Sequence, residues 1–379
     1  MLREIPLTNL GALRSHSKTH LKTPAPLSAY LHSLETIVPP FSHEQSTLST
    51  LLQEQFSDTR FRRLVGQAFR QSGIETRHAV VEGFFGHAPF DLEGRATTSA
   101  RNAVYATESR RLAVALGEKI LRLPGAIPRE EITHVIFATC TGFVNPGADY
   151  FLVRDLGLSE SIERYTLGFM GCYAAFPALR MAAQFCEANP DARVLVVALE
   201  LCSLHMQIDE SPDSILGNTV FADGAAAALV TSVPPSTHRH YRLDGFASAT
   251  IPEGESSMAW SIGDRGFDLV LSGYVPKILS AELGGLFARI GLDPASFDRF
   301  AVHPGGKSIL DRFIAALDLP ANSLDASREI LKENGNMSSA TILFVLKRLL
   351  ETASVDESVL ATAFGPGLTV ETARLTVQG

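Results

Sequence analysis

Three short stretches of this chain are almost wholly apolar: "ITHVIFATC" (132–140), "RVLVVALEL" (193–201) and "AAAALVTSV" (225–233). A strand with one face in water alternates apolar and polar residues; these runs do not. Each therefore predicts a strand covered on both faces, and helix-length segments separate them. That combination points to an α/β layered fold. "AYLHSLETIVPP" (29–40) reads as a further strand, stopped by the paired prolines, which lack the N–H a ladder needs. Residues 44–73 carry helical spacing, and 97–121 form one long amphipathic helix.

"VPPSTHRHYRL" (233–243) is a proline-rich polar interruption. It divides the chain into an N-terminal half, 28–235, and a C-terminal half, 240–379, after a loose polar arm over 1–27. The second half again alternates helices and strands, with a helix over 275–290, a strand over 299–306, and a helix near 306–317. A helix from about 337 and a strand over 359–367 complete it. With 379 residues the chain is long enough for two or three domains of ~150 residues, or for one duplicated α/β body.

The formal charge of −8 argues against a nucleic-acid-binding surface, while leaving room for a local basic patch facing an anionic ligand. Four cysteines (140, 172, 186, 202) show no CxxC spacing and no neighbouring histidine pair, so neither a zinc site nor a disulfide framework is expected. The N-terminus lacks the apolar core of a secretory signal, and no stretch reaches the ~18 apolar residues of a membrane span. A cytoplasmic protein is the expectation.

"GFMGCYAAF" (168–176) surrounds Cys172 with residues too small to pack tightly against it. A short strand precedes it and a good helix, "YAAFPALRMAAQFCEAN", follows. A thiol at a helix N-terminus meets positive potential and free amides, which favour thiolate and can hold an oxyanion. The other reading is a core cysteine packed as a small hydrophobe, which suits the mid-helix Cys186 better. His303 ends a predicted strand at a Pro-Gly-Gly turn in "AVHPGGKS", where α/β proteins present functional groups. Asn336 in "ENGNMSSATILFVL" can cap a helix, or it can donate to a carbonyl oxygen. Cys, His and Asn together admit cysteine hydrolysis, with asparagine orienting histidine, or decarboxylative condensation on an acyl-cysteine. The residues alone leave both open.

"GCYAAFPALR", "VFADGAAAALV", "AVHPGGKSILD", "ENGNMSSATILFVL" and "FGPGLTVET", in this order and with "NPGADY" at 145–150, resemble the type III polyketide synthases, the chalcone-synthase-like branch of the thiolase superfamily. The likeness runs from about residue 28 to the end. It implies a five-layered αβαβα thiolase-like fold of two related halves, assembled as a homodimer. It implies a catalytic triad of Cys172, His303 and Asn336, a gating Phe221, and a second gate at Leu269 or the nearby Phe267. Ser338 belongs to the implied pocket. Trp260 stands where plant members have a glycine; Cys140, Cys202 and His205 stand where they mostly have threonines. Asn145 replaces a methionine that reaches into the partner's site.

These departures point to bacterial rather than plant members. The basic positions that hold coenzyme A phosphates read Leu64, Gln67 and Gln71, which leaves Arg63 and Arg70 as substitutes. Gly306 and Ser308 are expected beside the pantetheine arm. The implied activity is iterative decarboxylative condensation of malonyl-CoA onto an acyl-CoA starter, fatty acyl by the look of "SLHMQ" and "MAWSIGDRGF". Cyclisation to an alkylpyrone or alkylresorcinol would follow, with no metal or organic cofactor. The rivals are a ketoacyl-carrier-protein synthase of the initiating kind and, from another class, a cysteine hydrolase.

Overall fold

A computed structural model describes residues 28–83 and 96–379. The arm expected over 1–27 lies outside the described residues. In the N-terminal half the elements run β1 (Ala29–Ile37), β2 (Phe41–Glu44), α1 (Gln45–Glu54), α2 (Thr59–Gln71), β3 (Thr76–Ala79) and α3 (Thr98–Leu121). Next come β4 (His134–Thr139), α4 (Ala148–Leu156), β5 (Glu163–Gly168), α5 (Ala175–Ala188), β6 (Arg193–Leu201), α6 (Pro212–Val220) and β7 (Asp223–Thr231). The C-terminal half holds β8 (His240–Thr250), the hairpin β9 (Met258–Gly263) and β10 (Gly266–Leu271), α7 (Val275–Arg289), β11 (Arg299–Val302) and α8 (Lys307–Ala316). It ends with α9 (Asp325–Asn334), α10 (Thr341–Thr352), β12 (Ser358–Gly365) and β13 (Thr369–Gln378).

The main strands join in the order β11-β12-β13-β8-β1-β7-β6-β4-β5. Within it one pattern occurs twice. β4 and β6 are parallel, β6–β7 and β7–β1 antiparallel; β11 and β12 are parallel, β12–β13 and β13–β8 antiparallel. The first strands of the two patterns, β1 and β8, pair with each other through Ala29–Leu243, Tyr30–Arg242 and Leu31–Tyr241. α5 and α10 touch strands of both patterns and form the central layer. α3 and α4 cover one outer face, α7 and α8 the other. This is the five-layered arrangement expected.

The apolar runs are apolar because both their faces are covered. Val194, Val196 and Ala198 of β6 face the central helices, while Leu195, Val197 and Leu199 face the outer layer. Ala226 and Ala228 against Ala225 and Ala227 do the same in β7. Small residues there let α5 and α10 approach closely.

Three expectations need correction. The helical stretch 44–73 is two helices, because Asp58 accepts from the Arg60 N–H (2.7 Å) and starts α2 afresh. The strand expected over 299–306 stops at Val302, ahead of Pro304 and the Gly305–Gly306 turn. The helix expected from about 337 opens with a 3₁₀ turn at Ser338–Ala340 before α10.

Candidate active site

Between β5 and α5 the chain turns sharply. Phe169 (φ 61°) and Gly171 (φ 80°) both occupy the left-handed region. A side chain at Gly171 would also meet Pro366 Cδ at 2.4 Å, so the Gly-Pro-Gly loop 365–367 lies directly on this turn. Cys172 sits in it, three residues before α5. The nearby amides are partly spent within the turn, since Ala174 N–H donates to the Gly171 carbonyl (3.1 Å) and Phe176 N–H to that of Tyr173 (2.9 Å). Burial pushes the Cys172 thiol up to about 11, and the buried Glu200 adds to this; hydrogen bonds with the Ser338 and Asn336 side chains pull the other way without prevailing. Desolvation thus works against the lowering expected from the helix terminus.

His303 follows β11, its backbone N–H donating to the Thr362 carbonyl of β12 (2.8 Å). The ring is buried, among the described residues neither ring nitrogen has a hydrogen-bond partner, and burial lowers its pKa to about 3. It is a neutral imidazole with an unspent N–H and an unspent lone pair.

Asn336 is held through its backbone: its N–H donates to the Val220 carbonyl (2.8 Å), and its carbonyl accepts from Ala222 N–H (2.9 Å). Its side-chain oxygen accepts from Ser338 N–H (2.9 Å) and its amide donates to the Gly305 carbonyl (3.3 Å). The amide is thus held at both ends, and Asn336 is not the N-cap of either the 3₁₀ turn or α10, whose caps are Met337 and Ala340. Behind it the fully buried Arg77 donates to the carbonyls of Asn218 (2.8 Å) and Phe221 (2.7 Å). Gly335 (φ 71°) lets that side chain through, since a Cβ there would stand 2.9 Å from Arg77 Cγ.

Cys172, His303 and Asn336 come from distant parts of the sequence and line one cavity of about 390 Å³. Phe221, Ser338, Cys140, Cys202, Trp260 and Leu269 line it too, and the walls are mostly apolar. Gly306 and Ser308 line it beside Lys307, opposite Gln71 and Ser72 from the end of α2. Arg63 and Arg70 are not among the residues lining this cavity, whereas Lys307, at the first position of α8, is. It was legible as the lysine after "HPGG".

His205 and Phe267 also do not reach this cavity. They stack on each other (3.8 Å between ring centres) and line a second cleft of about 170 Å³. Cys202, Phe221, Trp260 and Leu269 stand between the two spaces. Of the two gate candidates on β10, Leu269 lines the main cavity, paired with Trp260 across the hairpin. Asn145, at a cis Asn145–Pro146 bond before α4, does not line this chain's cavity.

Sequence reading missed Glu200, which is wholly buried near the end of β6. Its signal was present: one carboxylate at the end of a strand that is apolar on both faces from Val194 to Leu199. Among the described residues no group of three or more metal-ligating side chains occurs, and no helix is long and apolar enough to cross a membrane.

A thiol, an imidazole and an amide thus stand around one apolar cavity on a duplicated five-layered α/β frame of the thiolase kind. Residues 19–234 match the family model of the chalcone and stilbene synthase N-terminal domain, and residues 243–377 that of the C-terminal domain. The chain belongs to the chalcone and stilbene synthase family, and it is an acyltransferase of the type III polyketide synthase class. Among solved structures it is similar to the C-terminal type III polyketide synthase domain of Steely1, a type I/III hybrid from Dictyostelium. That match has 27% identity and a TM-score of 0.85, covering 92% of this chain and 99% of that one. PKS-I of the brown alga Ectocarpus siliculosus shares the fold, with 23% identity and a TM-score of 0.85 over 94% of this chain and 100% of that one.

Proposed function

We propose that this enzyme extends a fatty acyl-CoA starter with malonyl-CoA units and cyclises the chain to an alkylpyrone or alkylresorcinol. The observation that carries the condensation is the convergence of Cys172, an unpartnered neutral His303 and an oriented Asn336 on one apolar cavity. Cys172 attacks the starter thioester while the His303 lone pair takes the thiol proton, and coenzyme A leaves as its thiol once the imidazolium returns that proton to its sulfur. Malonyl-CoA then enters. The His303 N–H and the Asn336 amide donate to its thioester oxygen as carbon dioxide departs and an enolate forms. The enolate carbon attacks the acyl group on Cys172, and the lengthened chain leaves on coenzyme A.

A neutral imidazole suits the second step, because it donates a hydrogen bond without needing a proton from solvent. Phe221 presents an apolar wall that disfavours the malonyl carboxylate over the products of its loss. Lys307 and the first turn of α8 face the cavity where an anionic thioester carrier would enter. No metal or organic cofactor takes part. We place the enzyme in the cytoplasm as a homodimer.

Mass spectrometry of the products from malonyl-CoA with acyl-CoA starters of two to eighteen carbons tests this reading directly. The expected result is pyrones or resorcinols built on the longer starters. Each lost methylene contact costs ~0.8 kcal/mol, close to fourfold per carbon. Cys202→Phe should therefore shorten the longest accepted starter visibly. An enzyme that hydrolyses acyl-CoA without consuming malonyl-CoA would instead be a cysteine hydrolase.

A further inference from the structure

Cys140, Cys172 and Cys202 all line the one cavity, yet the proposed cycle uses only Cys172. Of the other two, Cys140 has a base beside it. Its thiol donates to Glu200 Oε1 (3.1 Å), and its backbone N–H donates to Oε2 (2.9 Å). Thr141 Oγ1 also donates to Oε2 (2.9 Å), and the Ser339 hydroxyl to Oε1. Two donors thus address each carboxylate oxygen, an arrangement that suits the ionised form, since a carboxyl proton would turn one donor away. On its other side Cys140 Sγ meets Ser338 Oγ at 3.4 Å, and that same hydroxyl hydrogen-bonds the Cys172 thiol. One hydroxyl therefore separates the two sulfurs.

We propose that Cys140, with Glu200 as its base, is a second covalent acyl station that receives the growing chain from Cys172. The step is a thioester exchange. Cys140 Sγ attacks the carbonyl carbon held on Cys172 as its proton passes to Glu200 Oε1. The carbon–sulfur bond to Cys172 then breaks, the departing Cys172 thiolate is protonated, and Glu200 gives up its proton in exchange, so that the carboxylate and one thiol are restored. One thioester and one thiol are consumed and one of each is formed, so no further reactant enters, and the exchange is close to balanced in free energy. The chain then rests away from His303 and Asn336, and Cys172 is free to load again. A threonine at position 140, as the resembling plant enzymes mostly have, would offer no thiol for this. Cys202 lines the same cavity, but among the described residues no carboxylate accepts from its thiol, and it is not assigned this role.

The inference rests on the polyketide reading, and one experiment separates the two. The wild-type enzyme, turning over a fatty acyl-CoA with malonyl-CoA, is quenched in acid, digested at low pH and mapped by mass spectrometry. Acyl groups are expected on both the Cys172 and the Cys140 peptides. In Cys172→Ala neither position should be acylated, because the second station loads only from the first. In Glu200→Gln, which keeps the shape of the site but not its base, occupancy of Cys140 should fall at least tenfold with Cys172 still loaded. Cys140→Thr should lose the second adduct while its melting temperature stays near wild type. Turnover with acyl on Cys172 alone would overturn the inference and leave the polyketide reading standing, as would an acylated Cys140 in Cys172→Ala. A wild type that neither consumes malonyl-CoA nor acylates Cys172 would overturn the reading itself.

Discussion

At the scale of single residues, burial decides the charge states of the site. Cys172 is held protonated and His303 neutral, each by loss of water around the charged form. Resting thiolate should then be scarce at neutral pH and grow tenfold per pH unit. Iodoacetamide inactivation is expected to accelerate by ~100-fold between pH 7 and 9, staying below the plateau of an ionised thiol. A rate independent of pH over that range would mean a preformed thiolate–imidazolium pair and would overturn the assignment. A second expectation concerns the nucleophile. Cys172→Ala should form no acyl-enzyme and no lengthened product, yet still decarboxylate malonyl-CoA slowly, because the two donors to the thioester oxygen remain. Loss of carbon dioxide release, in a folded variant, would show that decarboxylation needs the sulfur. Local context nominated the three residues, in a small-residue turn, at a strand end and in a segment before a helix, and the family resemblance joined them into a triad. Their ionisation was not. It depends on Glu200, Ser338 and the depth of the cavity, none of which lies next to Cys172 in the chain.

At the scale of elements, the strands easiest to read were those with no wet face, β4, β6 and β7. β8 and β13 escaped because their polar and apolar residues mix: "HYRLDGFASAT" and "TVETARLTVQ" carry charges along strands that pair with each other. The β9–β10 hairpin escaped as well, and it matters most for specificity. One face of it carries Met258, Trp260, Leu269 and Leu271 toward the cavity, since residues directly paired across an antiparallel hairpin point the same way. Trp260 and Leu269 form part of the wall between the main cavity and the cleft beside His205. Removing the indole opens that wall. Trp260→Gly should therefore shift the products toward more condensations per starter, with the two spaces joined. An indole side chain buries on the order of 150–250 Å², so some loss of melting temperature is expected with it. An unchanged product distribution in a folded variant would show that the wall does not limit chain growth.

At the scale of the whole molecule, the two halves share one sheet through a short ladder, where β1 pairs with β8 at Ala29, Tyr30 and Leu31. Histidines collect there. The His32 and His238 rings lie 5.1 Å apart, and His240 packs on Tyr30 at 5.7 Å. Burial, then the neighbouring His238 and His240, lower the His32 pKa to about 4, and burial lowers that of His240 as well. Burial takes His205, in the second cleft, to about 4 and His303, in the main cavity, to about 3. The unfolded chain protonates such histidines near pH 6.5, while the folded protein does so only at 3 to 4. Between those limits the unfolded state binds more protons, so stability falls as the pH falls. Each histidine titrating only in the unfolded state removes ~1.4 kcal/mol per pH unit. Asp223 and Glu200 work against this, because burial raises their pKa values and acid relieves the cost of their charge. Three deeply lowered histidines outnumber them over the upper part of the window. Urea unfolding followed from pH 7.5 to 4.5 should show a plateau above pH 6.5 and a steep loss of midpoint below it. His32→Gln should flatten part of that slope without altering the plateau's position. A midpoint constant down to pH 4.5 would mean that the ladder and the site accept their protons while still folded.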